Sequence, residues 1–192
     1  YVPVGRDQLQ HIQLAQKLTE IFNKKYSIDL FPEPKAILSE NHYANSIKSL
    51  RNPEKKMSKS DDNPKATIFI NDKPEDIQMK IMRAKTDFTS QITFQPELRP
   101  GISNLVILYS LFTGLTVDQV VSQSQEFNTE KFKKHLSEII IENLKPIQSE
   151  MNRLLNENQF LLHVIQQGNS QANEISSQTI NQVYDIIGLK LK

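Results

Sequence analysis

Residues 51–64 read Arg51-Asn-Pro-Glu-Lys-Lys-Met-Ser-Lys-Ser-Asp-Asp-Asn-Pro64 and include the pentapeptide Lys-Met-Ser-Lys-Ser at positions 56–60. Prolines, turn residues and a single apolar side chain disfavour a core strand or a helix here and predict a surface loop, which we name the lysine loop. Such a loop presents ammonium groups, hydroxyls and backbone N–H groups together, which suits a polyphosphate ligand. A solvated lysine-rich turn is the alternative interpretation of the same composition.

The charge of the chain is unevenly distributed, although its formal net value is only +1. Between Lys48 and Lys65 there are six lysines and arginines but only three acidic residues. This local positive excess favours a phosphate-bearing ligand. Beyond residue 145 the chain is rich in Gln and Asn, but Leu, Ile and Val recur there at helical spacing, which predicts helices with polar faces.

The composition narrows the class of protein. The 192 residues include no cysteine and no tryptophan. This length permits one or two domains with a hydrophobic core, and the absence of cysteine excludes a disulfide scaffold and a cysteine-ligated zinc site. No stretch reaches the roughly 18 apolar residues of a membrane span, so we expect a soluble protein. Because the chain opens directly on a strand-like segment, we expect that it begins inside a fold.

Metal-binding patterns are weak in this sequence. The four histidines have no metal-ligand spacing to one another or to acidic residues, so no structural metal is predicted. Asp61, Asp62 and Asp87 could coordinate Mg²⁺. Phosphate oxygens usually supply most of that coordination, however, so solvated turn carboxylates are the preferred interpretation of these residues.

The first residues predict a strand, a tight turn and a helix. Val2 to Val4 is interpreted as the end of a buried strand that stops at Gly5, and Asp7 is a candidate N-cap for a helix over about 8–25. This succession places ligands at the carboxyl edge of a parallel sheet. Further extended segments are predicted at 36–38, 47–50 and 66–70.

Most of the remaining chain is predicted to be helical. Helices are expected over 74–84, 103–112, 117–123, 128–143, 146–156, 158–167 and 170–187. Thr116 and either Asn128 or Thr129 are the expected N-caps of two of them. The fold class is therefore α/β followed by α, predominantly α, with a boundary near residue 72 and domains over 1–72 and 73–192.

Several segments occur in an order that identifies a family. Besides the lysine loop they are Tyr1-Val-Pro-Val-Gly-Arg-Asp-Gln8 with Gln10-His11-Ile12, Ile47-Lys-Ser-Leu50, Lys85-Thr-Asp-Phe-Thr-Ser90 and Pro100-Gly-Ile-Ser-Asn-Leu105. The pentapeptide resembles the signature loop of class I aminoacyl-tRNA synthetases. The first segment is similar to the V-P-V-G-E-D-Q…Q-H stretch of tryptophanyl-tRNA synthetases, and the chain is identified as resembling the C-terminal portion of that family. The residues at positions 85–90 and 112–115 are more similar to those of the mitochondrial branch of the family than to those of the bacterial branch.

The resemblance implies the second half of a Rossmann-like catalytic domain, followed by a helical anticodon-binding domain. It implies activation of L-tryptophan with ATP and Mg²⁺ to tryptophanyl-adenylate, and transfer to tRNA(Trp). It also implies a homodimer without membrane association, in the mitochondrial matrix, or in the cytoplasm if the source is bacterial. The family's first ATP motif and its indole-reading carboxylate are absent from this sequence, so we expect the chain alone to be inactive.

Within the lysine loop, the expected catalytic side chains are Lys56 and Lys59, with hydroxyl donors from Ser58 and Ser60. The substrate carboxylate is itself the nucleophile in this chemistry, so positioning and charge stabilisation suffice without a general base. Met57 is expected to anchor the loop or to face the adenine. Lys55, by contrast, is interpreted as a solvated lysine without a catalytic role, next to Lys56.

The resemblance also assigns residues near the N-terminus and before the lysine loop. Gly5, Arg6, Asp7 and Ile47 are expected to contact ATP, although Arg6 replaces a usual acidic residue, which makes a side-chain role there doubtful. A turn glycine followed by a helix cap is the alternative for Gly5 and Asp7. Val2, Val4 and Gln8 are expected to line the tryptophan pocket. The alternative is that the two valines belong to the core and that Gln8 only starts the helix.

Two other functions remain open from the sequence. A tyrosine-specific synthetase shares the architecture, although the V-P-V-G-x-D-Q and P-G-I-S-N-L strings disfavour it. A synthetase-derived RNA-binding protein without catalysis is the other alternative; Arg6 favours it, whereas the intact lysine loop disfavours it. The resemblance implies that the helical half reads the anticodon, a role that is assigned to the domain and to no single residue. The dispersed basic residues of this half are interpreted as a solvated helix face: Lys131, Lys133, Lys134, Lys145 and Arg153.

Overall fold

The computed structural model describes residues 1–38 and 47–189. These residues form two strands and six α-helices: β1 (Val2–Pro3), α1 (Leu9–Tyr26), β2 (Ala36–Ile37), α2 (Pro74–Met82), α3 (Pro100–Thr113), α4 (Val117–Gln123), α5 (Thr129–Leu155) and α6 (Asn158–Ile187). They divide into two compact units. The first contains the described residues 1–38 and 150–189, and the second contains 47–149. These units are defined by packing. The predicted boundary near residue 72 separates two functional domains instead, and it stays a prediction.

The hydrophobic core lies in the second unit, around α3. Ile102 through Tyr109 are all buried, which fits a helix that is apolar on most of its faces. Residues of α2, α4 and α5 pack on it, and the largest buried side chains of this core are Phe132, Leu50, Ile77, Ile81, Ile102, Leu105, Leu136 and Ile140. This core supports the lysine loop, which follows directly after Leu50.

The N-terminus of α3 requires a glycine because the chain passes very close to it. A Cβ atom added at Gly101 would lie 2.2 Å from the backbone oxygen of Lys85. Such a contact is possible only for a residue without a side chain. Gly101 therefore fixes the distance between α3 and the loop that follows α2.

Two predicted helix starts are confirmed in detail. Thr116 forms a capping box at α4, in which its hydroxyl accepts from the N–H of Gln119 at 3.2 Å and the Gln119 side chain accepts from the N–H of Thr116 at 2.9 Å. At α5, Asn128 is the residue that caps, since its Oδ1 accepts from the N–H of Lys131 at 2.8 Å.

The first unit contains the predicted strand–turn–helix, but its burial differs from the expectation. β1 pairs in parallel with β2, and the N–H of Val4 donates to the carbonyl of Ile37 at 3.0 Å. Val2 and Pro3 are nevertheless exposed, so the prediction of a buried strand is wrong for the described residues. β2 is the only strand beside β1 among the described residues, so the pair is not part of a larger sheet there. Similarly, neither α1 nor α6 contains a buried residue.

Three other expectations about secondary structure are wrong. Residues 66–70 do not form a strand, because the side chain of Asp72 accepts from the N–H of Phe69 at 2.8 Å in place of a neighbouring strand. The predicted break before Pro146 is absent, and α5 continues through it. The side chain of Gln148 donates to the carbonyl of Ile70 at 2.7 Å and secures the helix beyond the proline. The last two predicted helices are a single helix, α6.

No single helix among the described residues has both the length and the apolar composition of a membrane span.

The close approach at Gly101 gives a test of the core. Gly101→Ala should destabilise the second unit by about 1–3 kcal/mol, because the new methyl group has to displace backbone atoms of Lys85. Urea unfolding measures this effect. The matched control is Gly168→Ala in α6, where a Cβ meets nothing within 4 Å and the change should stabilise the helix by up to about 1 kcal/mol. Equal effects of the two substitutions would contradict the assigned contact.

Candidate functional site

The lysine loop is attached to the second unit by backbone pairing. Lys48 and Lys56 form an antiparallel bridge. The N–H of Met57 donates to the carbonyl of Ile47 at 3.0 Å, and the N–H of Ser49 donates to the carbonyl of Lys55 at 2.9 Å. The predicted extended segment at 47–50 is therefore present as a short pairing partner of the pentapeptide.

A side chain from the core holds the other edge of this segment. Asn104, on α3, accepts from the N–H of Lys48 at 2.8 Å and donates to the carbonyl of Lys48 at 2.9 Å. Asn104 is only 3% exposed, and both hydrogen-bonding functions of its amide are used. Residues 47–49 thus lie between the buried helix α3 and the lysine loop.

The apolar and the charged residues of the pentapeptide have different environments. Met57 is partly buried and packs against the core, as does Ile47. Lys56 and Lys59 are exposed, as is Lys55. Within residues 1–38 and 47–189, the ammonium groups of Lys56 and Lys59 have no hydrogen-bond or carboxylate partner. Both ammonium groups can therefore contact an anionic ligand, whereas the side chain of Met57 anchors the loop to the core.

The two serines of the pentapeptide form a small turn. Their hydroxyls lie 2.9 Å apart, and the N–H of Ser60 donates to the Ser58 hydroxyl at 3.3 Å. The buried Thr67 donates its hydroxyl to the carbonyl of Ser58 at 2.7 Å. The hydrogen bond from Thr67 therefore fixes the backbone of Ser58, where this turn begins. The side chains of Lys59 and Ser60, which follow, are exposed.

The start of the lysine loop is fixed by the C-terminal end of α2. The Arg51 guanidinium donates to the carbonyl of Arg83, and Lys133 on α5 donates to the carbonyl of Ala84 at 2.8 Å. Cations at a helix C-terminus are favoured by its free carbonyls and its dipole. Burial lowers the pKa of Lys133, and the positive charge of Arg51 lowers that pKa further. Lys133 is therefore a buried structural cation, and the interpretation as part of a solvated helix face is wrong for it.

Asp87 is an exposed turn carboxylate, whose Oδ1 accepts from the N–H of Thr89 at 2.9 Å, and it also belongs to a clamp with Arg99. Its two oxygens accept from Nε and one Nη atom of Arg99 at 2.9 and 2.8 Å, while Arg99 also donates to the Thr93 hydroxyl and to the carbonyls of Gln91 and Thr89. The hydrogen bonds from Arg99 hold the pKa of Asp87 well below its usual value, at about 2. No group of three His, Cys, Asp or Glu side chains in the described parts of the chain could hold a metal ion.

The remaining predicted site residues lie at the carboxyl end of β1, in the first unit. Residues 6–8 form a 3-10 turn between Gly5 and α1, so the prediction that Asp7 caps the helix is wrong. Asp7 instead accepts from the Gln8 side chain at 3.0 Å and lies over Gly5, where an added Cβ would be 2.5 Å from its Oδ1. Val2 is exposed and Val4 half-buried. The predicted residues are therefore grouped in two sets: 2–8 in the first unit, and Ile47 with 56–60 in the second.

Comparisons with known proteins identify the family of the chain. The family model for the class I tRNA synthetases of tryptophan and tyrosine matches residues 1–145. The chain belongs to this family. The match includes both the strand-end residues and the lysine loop, and the family resemblance predicted from the sequence is confirmed.

Individual relatives place the chain beside the tryptophan enzymes. It is 40% identical to the mitochondrial tryptophan–tRNA ligase of Saccharomyces cerevisiae, over 98% of this chain and 49% of the relative. It is 38% identical to the tryptophan–tRNA ligase of Caldanaerobacter subterraneus subsp. tengcongensis, over 100% of this chain and 57% of that protein. The chain thus spans about half the length of these curated relatives.

The fold agrees with a solved structure from the same family. The tryptophanyl-tRNA synthetase of Campylobacter jejuni, complexed with ADP and tryptophan, superposes with a TM-score of 0.71 at 25% identity, over 98% of this chain and 56% of that chain. The predicted fold class, a mainly helical portion of a class I synthetase, is confirmed.

Three residues that hold the lysine loop were assigned no role from the sequence: Asn104, Thr67 and Ser49. Ser49 is fully buried, and its hydroxyl accepts from the N–H groups of Arg51 at 3.3 Å and of Asn52 at 3.2 Å. Asn104 could have been found, because an amide in the middle of an apolar helix needs a hydrogen-bonding partner. Thr67 and Ser49 have no comparable pattern in the sequence.

The Asp87–Arg99 pair makes stability depend on pH. Because the folded-state pKa of Asp87 is lowered to about 2, the pair should stabilise the fold fully above pH 4 and lose this effect as the pH falls through 2. Asp87→Asn should therefore destabilise the chain at pH 7 by about 1 kcal/mol or less, since the pair is partly screened by solvent. Urea midpoints of wild type and variant should converge as the pH falls from 4 to 2. A constant difference would contradict the assignment, and Asp62→Asn is the exposed control.

Proposed function

We propose that this chain is the part of a tryptophan–tRNA ligase that positions the lysine loop on ATP during tryptophan activation. The observation that supports it most strongly is the lysine loop itself. Its backbone is paired with residues 47–49, which Asn104 of α3 bonds at the opposite edge, whereas the ammonium groups of Lys56 and Lys59 are exposed and free of carboxylate partners within the described residues. The relatives named as tryptophan–tRNA ligases support the choice of amino acid.

The proposed first step is an in-line displacement at phosphorus. A carboxylate oxygen of tryptophan attacks the α-phosphorus of ATP, and the bond from that phosphorus to the bridging oxygen of the β-phosphate breaks. Tryptophanyl-adenylate forms and pyrophosphate departs with the bond's electron pair. Mg²⁺ enters as part of the substrate, coordinated by phosphate oxygens.

The role of the lysine loop is to stabilise the charge that grows on the departing pyrophosphate. Lys56 and Lys59 provide ammonium groups, and Ser58 and Ser60 provide hydroxyl donors. Preorganised donors of this kind lower the barrier because they need no reorientation during the reaction. Lys56 belongs to the fixed backbone pairing and Lys59 to the turn beyond Ser58, so the two lysines reach the phosphates from different parts of the loop.

The strand-end residues are proposed to bind the nucleoside and the amino acid. The carboxylate of Asp7 lies beside Gly5, at the carboxyl edge of a parallel strand pair, where ribose hydroxyls and backbone atoms of ATP are commonly bound. Arg6 and the backbone of Ile47 are each proposed to contact ATP. Tryptophan is assigned to three residues of the same segment: Val2, Val4 and Gln8.

In the second proposed step, a hydroxyl of the terminal adenosine of tRNA(Trp) attacks the carbonyl carbon of the adenylate and releases AMP. Residues 73–192 are proposed as the helical domain that binds the anticodon. Homodimerisation is part of the proposal, and it is supported by the apolar residues of α1 that are more than half exposed: Leu14, Leu18 and Ile21.

The proposed location is the mitochondrial matrix, because the yeast mitochondrial enzyme is among the most similar relatives. A bacterial cytoplasm is the alternative, since a bacterial relative is almost as similar. Imaging of a fluorescent fusion of the natural protein in its source cells distinguishes the two.

The proposed activity is tested by tryptophan-dependent exchange of radiolabelled pyrophosphate into ATP, in the natural protein that contains this sequence. We expect exchange with tryptophan and much less with tyrosine. Exchange with tyrosine alone would favour the tyrosine-specific alternative. Binding of tRNA(Trp) without any exchange would reject the enzyme and favour a non-catalytic RNA-binding protein.

The role of the second lysine is tested by Lys59→Ala in the same protein. Loss of a donor that acts mainly in the transition state should slow adenylate formation roughly 100- to 1,000-fold, with tryptophan binding nearly unchanged. Single-turnover kinetics measure the first quantity and calorimetry the second. The matched control is Lys55→Ala, an exposed lysine of the same loop, which should leave the rate near that of wild type. Equal rates for the two variants would remove the assignment.

A further inference from the structure

We propose that Asn104 is a positioning residue for the activation step, acting on Lys56 through the backbone of Lys48. The inference rests on the proposed function, because it assigns a further residue to the same site. Asn104 itself belongs to the buried helix α3 and has no exposed route to a ligand, being 3% exposed.

The pairing geometry shows why Lys48 needs a second partner. Ile47 and Ser49, the two neighbours of Lys48, form the hydrogen bonds to the lysine loop. In an antiparallel bridge of this type, the N–H and C=O of the central residue point to the opposite edge. At that edge Asn104 bonds both groups, at 2.8 and 2.9 Å. The amide side chain thus takes the place of a third strand.

An amide is well suited to this position. It offers one acceptor and one donor in a plane, as a peptide group does, and so satisfies both backbone groups of Lys48 at once. An apolar side chain would leave both partly buried groups without a partner, which would destabilise this segment. The neighbouring buried hydroxyl of Ser103 has a different partner, since it accepts from the N–H of Gln95 at 2.9 Å.

The consequence is a rigid connection from the core to the catalytic loop. Asn104 fixes Lys48, Lys48 is bridged to Lys56, and Met57 packs against the same core. Without the amide, the segment 47–49 would lose its attachment to α3, and Lys56 would no longer have a defined position relative to the phosphates. Displacements of about 1 Å in such groups can cost roughly 100-fold in rate.

The test compares Asn104→Ala with Ser103→Ala in the natural protein. Both variants remove a buried hydrogen-bonding side chain from α3, but only Asn104 bonds Lys48, the residue that is bridged to the lysine loop. We expect Asn104→Ala to lower kcat of ATP–pyrophosphate exchange by about 10- to 100-fold, with the KM for tryptophan unchanged. Ser103→Ala should retain the wild-type kcat. A wild-type kcat for Asn104→Ala, or equal losses in both variants, would overturn the proposal.

A second readout does not depend on the activity. The amide hydrogens of Ser49 and Met57 should exchange with solvent faster in Asn104→Ala than in wild type, and at the wild-type rate in Ser103→Ala. Unchanged exchange in Asn104→Ala would overturn the positioning role. Absence of pyrophosphate exchange in wild type would instead reject the proposed function, so the two failures are distinguishable.

Asn104→Asp covers the case in which the alanine variant does not fold. An ionised carboxylate can accept from the N–H of Lys48 but repels its carbonyl, whereas the protonated acid can donate to that carbonyl. Burial raises the pKa of such a carboxyl. We expect kcat of this variant, relative to wild type, to rise as the pH is lowered from 8 to about 6. A pH-independent ratio would overturn the proposal.

Discussion

The backbone pairing of residues 47–49 with the first half of the pentapeptide is the interaction on which the site depends. It converts a charged, proline-flanked segment into a structure with a defined register, and the opposite edge of the same segment is bonded to the core helix α3. Because backbone groups form the attachment, the lysine side chains are left free. The loop is thereby fixed by its main chain, while the side chains of Lys56 and Lys59 stay exposed.

The cations of the second unit differ in whether they have partners, in agreement with the division between backbone attachment and free lysine side chains. Cations that support the fold have partners: Lys133 and Arg51 bond the carbonyls that follow α2, and Arg99 pairs with Asp87. The cations of the pentapeptide have none within the described residues. An ammonium group that is exposed, unpaired and attached to a fixed backbone is well placed to meet a phosphate without first breaking an internal ion pair.

The sequence was sufficient to predict the lysine loop, the capping of α4 by Thr116 and the strand–turn–helix at the start, because each depends on local composition. The sequence was insufficient where contacts between residues far apart in the chain determine the structure. The burial of β1 depends on its neighbours, and the continuity of α5 beyond Pro146 depends on contacts to the segment before α2. The role of Asn104 required knowing which backbone groups lie opposite its side chain, 56 residues away.

A crystal structure of the natural protein with tryptophan and a non-hydrolysable ATP analogue tests the central claim most directly. We expect the Nζ atoms of Lys56 and Lys59 within hydrogen-bonding distance of the phosphate oxygens, with the pairing of Lys48 and Lys56 retained. Phosphates bound by other residues, with both ammonium groups directed into solvent, would contradict it.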